Sequence, residues 1–197
     1  YTDDGHDVTS KDHYKHGSAT LSNCHEKFAF ENVGVNIRAR GNSTFHAPKK
    51  PFRLKFDEKQ EMLGLNGGRA YKSWVLMAAY YDGSMLRTFG TFKFAETLLN
   101  GRVYSADCTH VEVYLNGEYQ GVYLLCEQTQ IDRYRVNIPE KEDGDTSVEI
   151  GYLLIGQGGR TDEPETVVVY PEITVRDRNG GTMYFGGMNF ALSGSGY

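Results

Sequence analysis

The residues best suited to chemistry in this acidic chain are cations gathered between residues 35 and 56, VNIRARGNSTFHAPKKPFRLKF. The same stretch carries amide and hydroxyl side chains at Asn42, Ser43 and Thr44. Guanidinium groups bind carboxylate and phosphate oxygens through paired hydrogen bonds, and ammonium groups bind them as point charges. We therefore predict a site for an anion with several oxygens, of which phosphate is the most obvious. Six of the chain's 21 lysines and arginines form this group: Arg38, Arg40, Lys49, Lys50, Arg53 and Lys55.

A solvated sheet face is the alternative interpretation of the same residues. Antiparallel sheets carry lysine and arginine on the wet face for solubility, and lysine on an edge strand discourages aggregation. Runs of charge are most often of this bland kind. Charge pattern alone therefore leaves both interpretations open.

Two strands and the loop between them must position these cations. Apolar and polar residues alternate over residues 35–40 and again over residues 52–56, which is the period of a strand with one buried face. The residues between them include Gly41 and Pro48, which favour turns. The pattern predicts two rows of cations that point away from the core.

The clearest helix in the sequence is predicted over residues 82–100. Its apolar residues recur at steps of three and four, Asp82 or Ser84 is placed to cap its start, and Asn100-Gly101 is placed to end it. Arg87 falls in the first turn, where the helix dipole disfavours a cation. We expect Arg87 to bind an anion there, either Asp82 or a phosphate of a ligand.

The remaining elements are predicted to be mostly strands. Asn116-Gly117 between residues 111–115 and 120–125 is a strong hairpin signal. The run 74–79 is apolar and predicts a buried strand or the approach to a helix. Shorter strands are predicted at 18–22, 147–155, 166–170 and 173–175, with loops at 64–70 and 139–145.

Composition excludes several classes of protein. A net charge of −5 argues against a general nucleic-acid binder, and no segment approaches the roughly 20 apolar residues of a membrane span. The three cysteines, Cys24, Cys108 and Cys126, do not have the spacing of metal ligands. Because their number is odd, at least one thiol stays free, and one disulfide is possible. His13 and His16 have the spacing of two ligands on a helix, but no cysteine or carboxylate pattern accompanies them, and we predict a solvated loop.

Several segments resemble the CotH (spore coat protein H) kinase family, whose usual signature is RGRGNSTW followed by KKPYRLKL. Here the corresponding residues are Arg38-Ala-Arg-Gly-Asn-Ser-Thr-Phe45 and Lys49-Lys-Pro-Phe-Arg-Leu-Lys55. Three further segments match in the same order and begin at Lys72, Val111 and Asp132. The similarity spans about residues 1–155, and four long motifs in register make chance similarity improbable.

The resemblance implies an atypical protein kinase that transfers the γ-phosphate of ATP, with Mg²⁺, to serines of coat or extracellular proteins. It further implies an extracytoplasmic location, in secretion or on the spore coat, with no nucleic-acid polymer as partner. The implied fold is α+β: a reduced kinase-like small lobe over residues 1–138, with an antiparallel sheet and one main helix, followed by extra strands over residues 139–197.

The resemblance also suggests roles for individual residues. We expect Lys55 to bind the α- and β-phosphates and Glu127 to mark the hinge that holds adenine. Glu96 of the helix is a candidate partner of Lys55, and the alternative is that Glu96 is one of the surface glutamates common near helix ends. The other expected nucleotide-binding residues are Arg40, Asn42, Ser43 and Lys50. The expected supporting residues are Arg38, Arg53, Asp82 and Arg87.

The match weakens after Leu154, where the family continues into a helical lobe with metal-binding and catalytic aspartates. Because no such motif follows, catalytic residues stay unassigned, and we expect residues 1–197 to bind nucleotide weakly if at all and to transfer no phosphate. A non-catalytic, kinase-derived module that binds a partner at the cell or spore surface is the alternative. A carbohydrate-binding β-domain is a third possibility, drawn from the 14 tyrosines, but most of these occupy alternating strand positions typical of sheet packing.

Overall fold

The computed structural model describes residues 1–99 and 104–138 and, in four further short strands, residues 154–157, 174–176, 182–184 and 189–192. The chain divides into two compact units, Tyr1–Asn137 and Ile138–Tyr197. The predicted loop at 139–145 and the predicted strand at 166–170 lie outside the described residues.

A curled sheet of six strands forms the body of the first unit. Its spatial order is β1-β2-β3-β4-β6-β5, and each neighbouring pair is antiparallel. The predicted antiparallel sheet is confirmed. The strands are β1 (Lys15–Leu21), β2 (Phe30–Ala39), β3 (Phe52–Gln60), β4 (Tyr71–Met77), β5 (Cys108–Leu115) and β6 (Glu118–Glu127).

One main helix accompanies this sheet in the described part of the chain, as predicted for an α+β fold. It is α2 (Arg87–Leu99), which connects β4 to β5, and α1 (Leu65–Gly68) is a single turn before β4. Two 3₁₀ turns, Glu26–Phe28 and Ser43–His46, precede β2 and β3. No helix among the described residues is long and apolar enough to cross a membrane.

The two faces of the sheet bury different sets of side chains. Alternate residues of β2 and β3 point to the larger core, as their alternating pattern predicted. Trp74 and Tyr123 are fully buried in the same core. The opposite face holds a smaller apolar cluster of Val75, Cys108, Leu124 and Cys126. Phe89 and Phe92 of α2 pack against that cluster, so we name this the helix-covered face.

A cavity of about 620 Å³ opens on the larger core side. Its walls come mainly from β1, β2, β3 and β5, and include Val35, Leu54 and Val113.

The hydrogen bonds between Thr2 and Asn116 join the N-terminal segment to the β5–β6 turn.

Helix α2 begins at Arg87, which corrects the predicted start at Asp82. Residues 82–86 form turns instead, because Met85 adopts a left-handed φ of 60° and Asp82 binds its neighbours. The Asp82 carboxylate accepts hydrogen bonds from the N–H of Ser84 at 3.1 Å and from the N–H of Arg87 at 2.9 Å. The predicted cap is therefore present, but it lies five residues before the helix.

The apolar side chains of α2 are only partly buried. Phe89 and Phe92 contact the sheet, whereas Phe94 and Leu98 are exposed, as is Leu86 just before the helix. Because an α-helix has about 3.6 residues per turn, Phe94 and Leu98 lie on the side of the helix opposite to Phe89.

The other predicted strands that fall on described residues agree with the structure in place and differ in length, whereas residues 147–153 of the predicted strand at 147–155 lie outside the described part. The Asn116-Gly117 hairpin joins β5 to β6, β1 includes predicted residues 18–21, and β4 includes residues 74–77 of the apolar run at 74–79. In the second unit, β7 (Leu154–Gln157) pairs with β10 (Asn189–Leu192), and β8 (Thr174–Arg176) pairs with β9 (Thr182–Tyr184).

Candidate functional site

Three arginines on the helix-covered face of β2 and β3 form the centre of the candidate site. Arg38 and Arg53 are directly opposite each other in the β2–β3 register, and Arg40 follows Arg38 by two positions on the same face. We name Arg38, Arg40 and Arg53 the arginine cluster. Lys55 lies in the next row, opposite Asn36, and is exposed.

The arginine cluster is only partly exposed. The Nε atoms of Arg38 and Arg53 are buried without a hydrogen-bond partner in the described part of the chain. Burial lowers the pKa of Arg40, and the positive charges of Arg53 and Arg38 lower it further, although the Cys126 thiol opposes them. These guanidinium groups are therefore partly withdrawn from water, and Arg53 and Arg38 lie close enough to Arg40 to repel it.

Charge pairing elsewhere in the structure makes the cluster unusual. Lys15 is 2.7 Å from Asp4, Lys93 is 2.6 Å from Asp107, and each forms an ion pair. No ion pair joins the arginine cluster to a carboxylate among the described residues. Because like charges directly across a sheet are destabilising, a bound anion would relieve the repulsion.

Arg38 is partly committed to the protein. One of its Nη atoms donates to the carbonyl of Lys11, and its guanidinium carbon lies 5.0 Å from the centre of the Tyr14 ring. Arg40 and Arg53 make no side-chain hydrogen bond within the residues described. They are thus the cations best placed to bind a ligand.

The two lysines of the β2–β3 loop point into the protein. The Lys50 Nζ donates to the carbonyl of Phe45 at 2.9 Å, and the Lys49 Nζ donates to the carbonyl of Val122. Lys49 also stacks 4.4 Å from the Tyr123 ring centre, and its burial lowers its pKa. Lys49 therefore holds the loop against β6, and Lys50 binds a carbonyl of its own loop.

The loop itself leaves Asn42 and Ser43 exposed at its open end. It closes through the Arg40 N–H, which donates to the Pro51 carbonyl at 3.0 Å, and turns at Gly41, whose φ is 96°. A side chain at residue 41 would contact the Thr44 hydroxyl, so glycine is required. The Asn42 side chain makes no capping hydrogen bond and remains available.

Glu127 lies at the end of β6, where its carboxylate is fully engaged by protein groups. It accepts hydrogen bonds from Arg135 Nε at 3.1 Å, from the Asp107 N–H at 2.9 Å and from the Asn66 amide. Glu127 and Arg135 side chains are 2% and 0% exposed. Any contact of residue 127 with a nucleotide would therefore come from the backbone.

Arg135 and its neighbours are the residues that the sequence prediction missed. The Arg135 guanidinium stacks 3.7 Å from the Tyr71 ring centre and donates to the Ser73 carbonyl at 3.2 Å. Tyr71 donates to Asp132 at 2.8 Å. The signal available for Asp132 and Arg135 was their presence in the last segment that resembled the family, but nothing in the sequence indicated Asn66 or Tyr71.

Protonation in this region favours a fixed network. Burial raises the pKa of Tyr71 to about 12, with the hydrogen bond to Asp132 acting in the same direction. Burial opposes ionisation of Asp132, yet the Tyr134 N–H, the Tyr71 hydroxyl and the charge of Arg135 hold its pKa below the usual value. Asp132 is thus a charged acceptor and Tyr71 a neutral donor.

The expected supporting residues have the following partners. Arg87 Nε lies 3.7 Å from Asp82, so the predicted pair at the helix start is present. Glu96 pairs with Lys93 at 3.3 Å, and no ion pair between Glu96 and Lys55 occurs among the described residues.

No group of three or more potential metal ligands occurs in the part of the chain that the structure describes. His16 instead contacts two carboxylates, Asp3 at 2.7 Å and Asp57 at 3.1 Å.

Comparison with known proteins supplies the family. A family model described as CotH kinase protein matches residues 37–164, which is more than half of the chain. The chain belongs to the CotH kinase family. No curated protein matches it. Within the CotH match lie all three residues of the arginine cluster, the loop that follows Arg40, and the buried pair of Glu127 with Arg135.

Proposed function

We propose that this CotH family member is an ATP-dependent protein kinase and that the arginine cluster, with Lys55, binds the phosphates of Mg-ATP. The observation that carries the proposal is the pair of buried Nε atoms on Arg38 and Arg53, which have no partner in the described residues. Phosphoryl transfer relies on positioning and on neutralising charge, so a group of desolvated guanidinium groups is suited to it.

The order of the elements supports the kinase interpretation. In protein kinases a loop between two strands covers the phosphates, and a third strand precedes a helix that supplies a supporting glutamate. If β1 is an additional first strand, the β2–β3 loop corresponds to the phosphate loop, β4 to the third strand and α2 to the helix.

The cations lie on other strands than in that scheme. The β4 side chains on the helix-covered face are Ser73, Val75 and Met77, none of them a cation. In our proposal Arg40, Arg53 and Lys55 of β2 and β3 supply the positive charge, and the exposed Asn42 and Ser43 contact the outer phosphates. Glu96 and Arg87 remain supporting residues.

Family membership is the support for the substrate and location that we propose. We propose serines of coat or extracellular proteins as phosphate acceptors and an extracytoplasmic site of action. The proposal assigns the metal-binding acids and the catalytic base to no described residue. Asp143 and Asp177, two of the acidic residues that follow the matched motifs, lie outside the described part.

A thermal-shift titration with Mg-ATP tests the phosphate site, because a ligand that binds only the folded state raises the midpoint of unfolding. We expect the wild-type midpoint to rise by about 2–4 °C for each kcal/mol of binding free energy under saturating nucleotide. Arg53→Gln should abolish most of the rise, and Lys55→Gln should reduce it.

Lys59→Gln is the matched control, because Lys59 is an exposed lysine on the same strand as Lys55. A shift of wild-type size in Lys59→Gln and none in Arg53→Gln supports the site. Equal shifts in all variants would refute it, and a shift produced equally by adenosine would assign binding to the base rather than to the phosphates.

A further inference from the structure

Two of the three cysteines face each other across neighbouring strands. Cys108 of β5 and Cys126 of β6 are direct partners in the strand register, and each is 2% exposed. Both belong to the apolar cluster of the helix-covered face, so their side chains lie on the same side of the sheet. Cys24, the third cysteine, is only partly buried.

The hydrogen bonds of the ladder define the kind of pair. The Glu127 N–H donates to the Asp107 carbonyl at 3.2 Å, which makes Asp107 and Glu127 a hydrogen-bonded pair. The two kinds of pair alternate along an antiparallel ladder, so Cys108 and Cys126 form a non-hydrogen-bonded pair. In such pairs the Cα atoms are about 4.5 Å apart and the side chains are closest.

That spacing is compatible with a disulfide, for which Cα separations start at about 4.4 Å. We propose that Cys108 and Cys126 are a modification site, converted to a cross-strand disulfide by a low-molecular-weight disulfide such as oxidised glutathione. The inference does not depend on nucleotide binding. It requires only the register of β5 and β6.

The reaction is two thiol–disulfide exchanges. The Cys108 thiolate attacks one sulfur of the small disulfide, forms a mixed disulfide and releases one thiolate, which takes up a proton. The Cys126 thiolate then attacks the Cys108 sulfur and releases the second small thiol. Two protein thiols are oxidised, one disulfide is reduced to two thiols, and the protein loses two hydrogen atoms.

Cys108 is the better first nucleophile because its thiol has the lower pKa of two equally buried cysteines. Burial raises the pKa of Cys108 to about 11, and the nearby charge of Lys93 opposes that rise. Burial raises the pKa of Cys126 to about 12. Since the thiolate is the reactive form, exchange should be slow at neutral pH and faster in mild alkali.

The disulfide would link β5 covalently to β6, its neighbour in the sheet. Cys126 directly precedes Glu127, whose carboxylate holds Arg135, so the bond would stabilise the end of β6. We expect a higher midpoint of thermal unfolding for the oxidised protein than for the reduced protein.

The test is intact-mass spectrometry after equilibration with excess oxidised glutathione, acid quenching and alkylation under denaturing conditions. In Cys24→Ser we expect no alkylated thiol, no glutathione adduct and the loss of two hydrogen atoms, reversed by dithiothreitol. In Cys24→Ser/Cys126→Ser the reaction should stop after the first exchange, which leaves one glutathione bound at Cys108.

Peptide mapping of the wild-type protein decides the pairing even if the double variant fails to fold. A Cys108–Cys126 linked peptide supports the proposal. Two alkylatable thiols in oxidised Cys24→Ser, glutathione on both cysteines without an internal bond, or a disulfide that includes Cys24 would each overturn it.

Discussion

At the scale of single residues, the cations differ in whether their side chains donate to groups of the same chain. Lys49, Lys50 and Arg135 donate to carbonyls or carboxylates of the same chain. Arg53, in contrast, has a buried Nε with no partner in the described residues. A buried donor without a partner is costly, so an anion that bound this guanidinium group would offset that cost.

The buried pair of Glu127 and Arg135 gives a prediction for stability. Glu127→Ala leaves the Arg135 guanidinium buried without its carboxylate, so we expect a loss of about 3–5 kcal/mol in the free energy of unfolding. Urea denaturation measures it. Glu127→Leu combined with Arg135→Met should recover much of the loss, since it removes both charges. A loss no greater than that of a surface pair, about 0–1 kcal/mol, would contradict the buried geometry.

His16 gives a prediction for pH. Hydrogen bonds to Asp3 and then to Asp57 raise its pKa above the ordinary value of 6.5. The protonated form is therefore stabilised by folding, and its contribution is complete below the unfolded pKa and lost as pH rises through the folded pKa.

The urea concentration at the midpoint of unfolding should fall in the wild-type protein as pH rises from about 5 to about 8. In His16→Gln the fall should be smaller, because residue 16 no longer titrates. A fall of the same size in the variant would assign the pH dependence to other groups.

At the scale of elements, helix α2 depends on a turn that precedes it. Asp82 accepts hydrogen bonds from the Arg87 N–H and from the hydroxyl of Ser84 at 2.6 Å. The Ser84 hydroxyl and then the Arg87 N–H hold the pKa of Asp82 below its usual value, so this support persists above the unfolded pKa and is lost in strong acid.

Asp82→Ala should lower the thermal midpoint and speed hydrogen exchange at the first amides of α2, because unpaired N–H groups at a helix start are exposed to water. Asp7→Ala is the matched control, since Asp7 is exposed and its side chain has no hydrogen bond in the described residues. Equal behaviour of the two variants would show that the cap contributes nothing.

The same element shows what sequence could and could not predict. The period-2 pattern of β2 and β3 and the Asn116-Gly117 turn are local signals, and the structure confirms them. The start of α2 was misplaced because the left-handed Met85 is a local exception that tertiary contacts support. The His110 Nε2–H donates to the Met85 carbonyl at 3.0 Å, a contact between residues 25 positions apart.

Site residues were harder to predict than strands for a similar reason. Lys50 and Arg53 are equivalent in a charge pattern, yet one binds loop carbonyls and the other has no such partner. Glu127 resembles any strand-end glutamate until Asn66, Asp107 and Arg135 meet around it. Only the fold brings those residues together.

At the scale of the whole molecule, the arginine cluster is a local positive site in a chain of net charge −5. We therefore expect the affinity for ATP to fall as sodium chloride is raised, because salt screens charges beyond about 8–10 Å at physiological strength. Calorimetry with adenosine as the comparison ligand checks this. Equal salt dependence for ATP and adenosine would contradict an electrostatic site.

The central claim is that the arginine cluster binds nucleotide phosphates, and a crystal structure with a non-hydrolysable ATP analogue and Mg²⁺ tests it most directly. We predict phosphate oxygens within hydrogen-bond distance of the Arg40 and Arg53 guanidinium groups, with Lys55 nearby. A triphosphate bound elsewhere, or a carboxylate of the same chain in contact with Arg53, would contradict it.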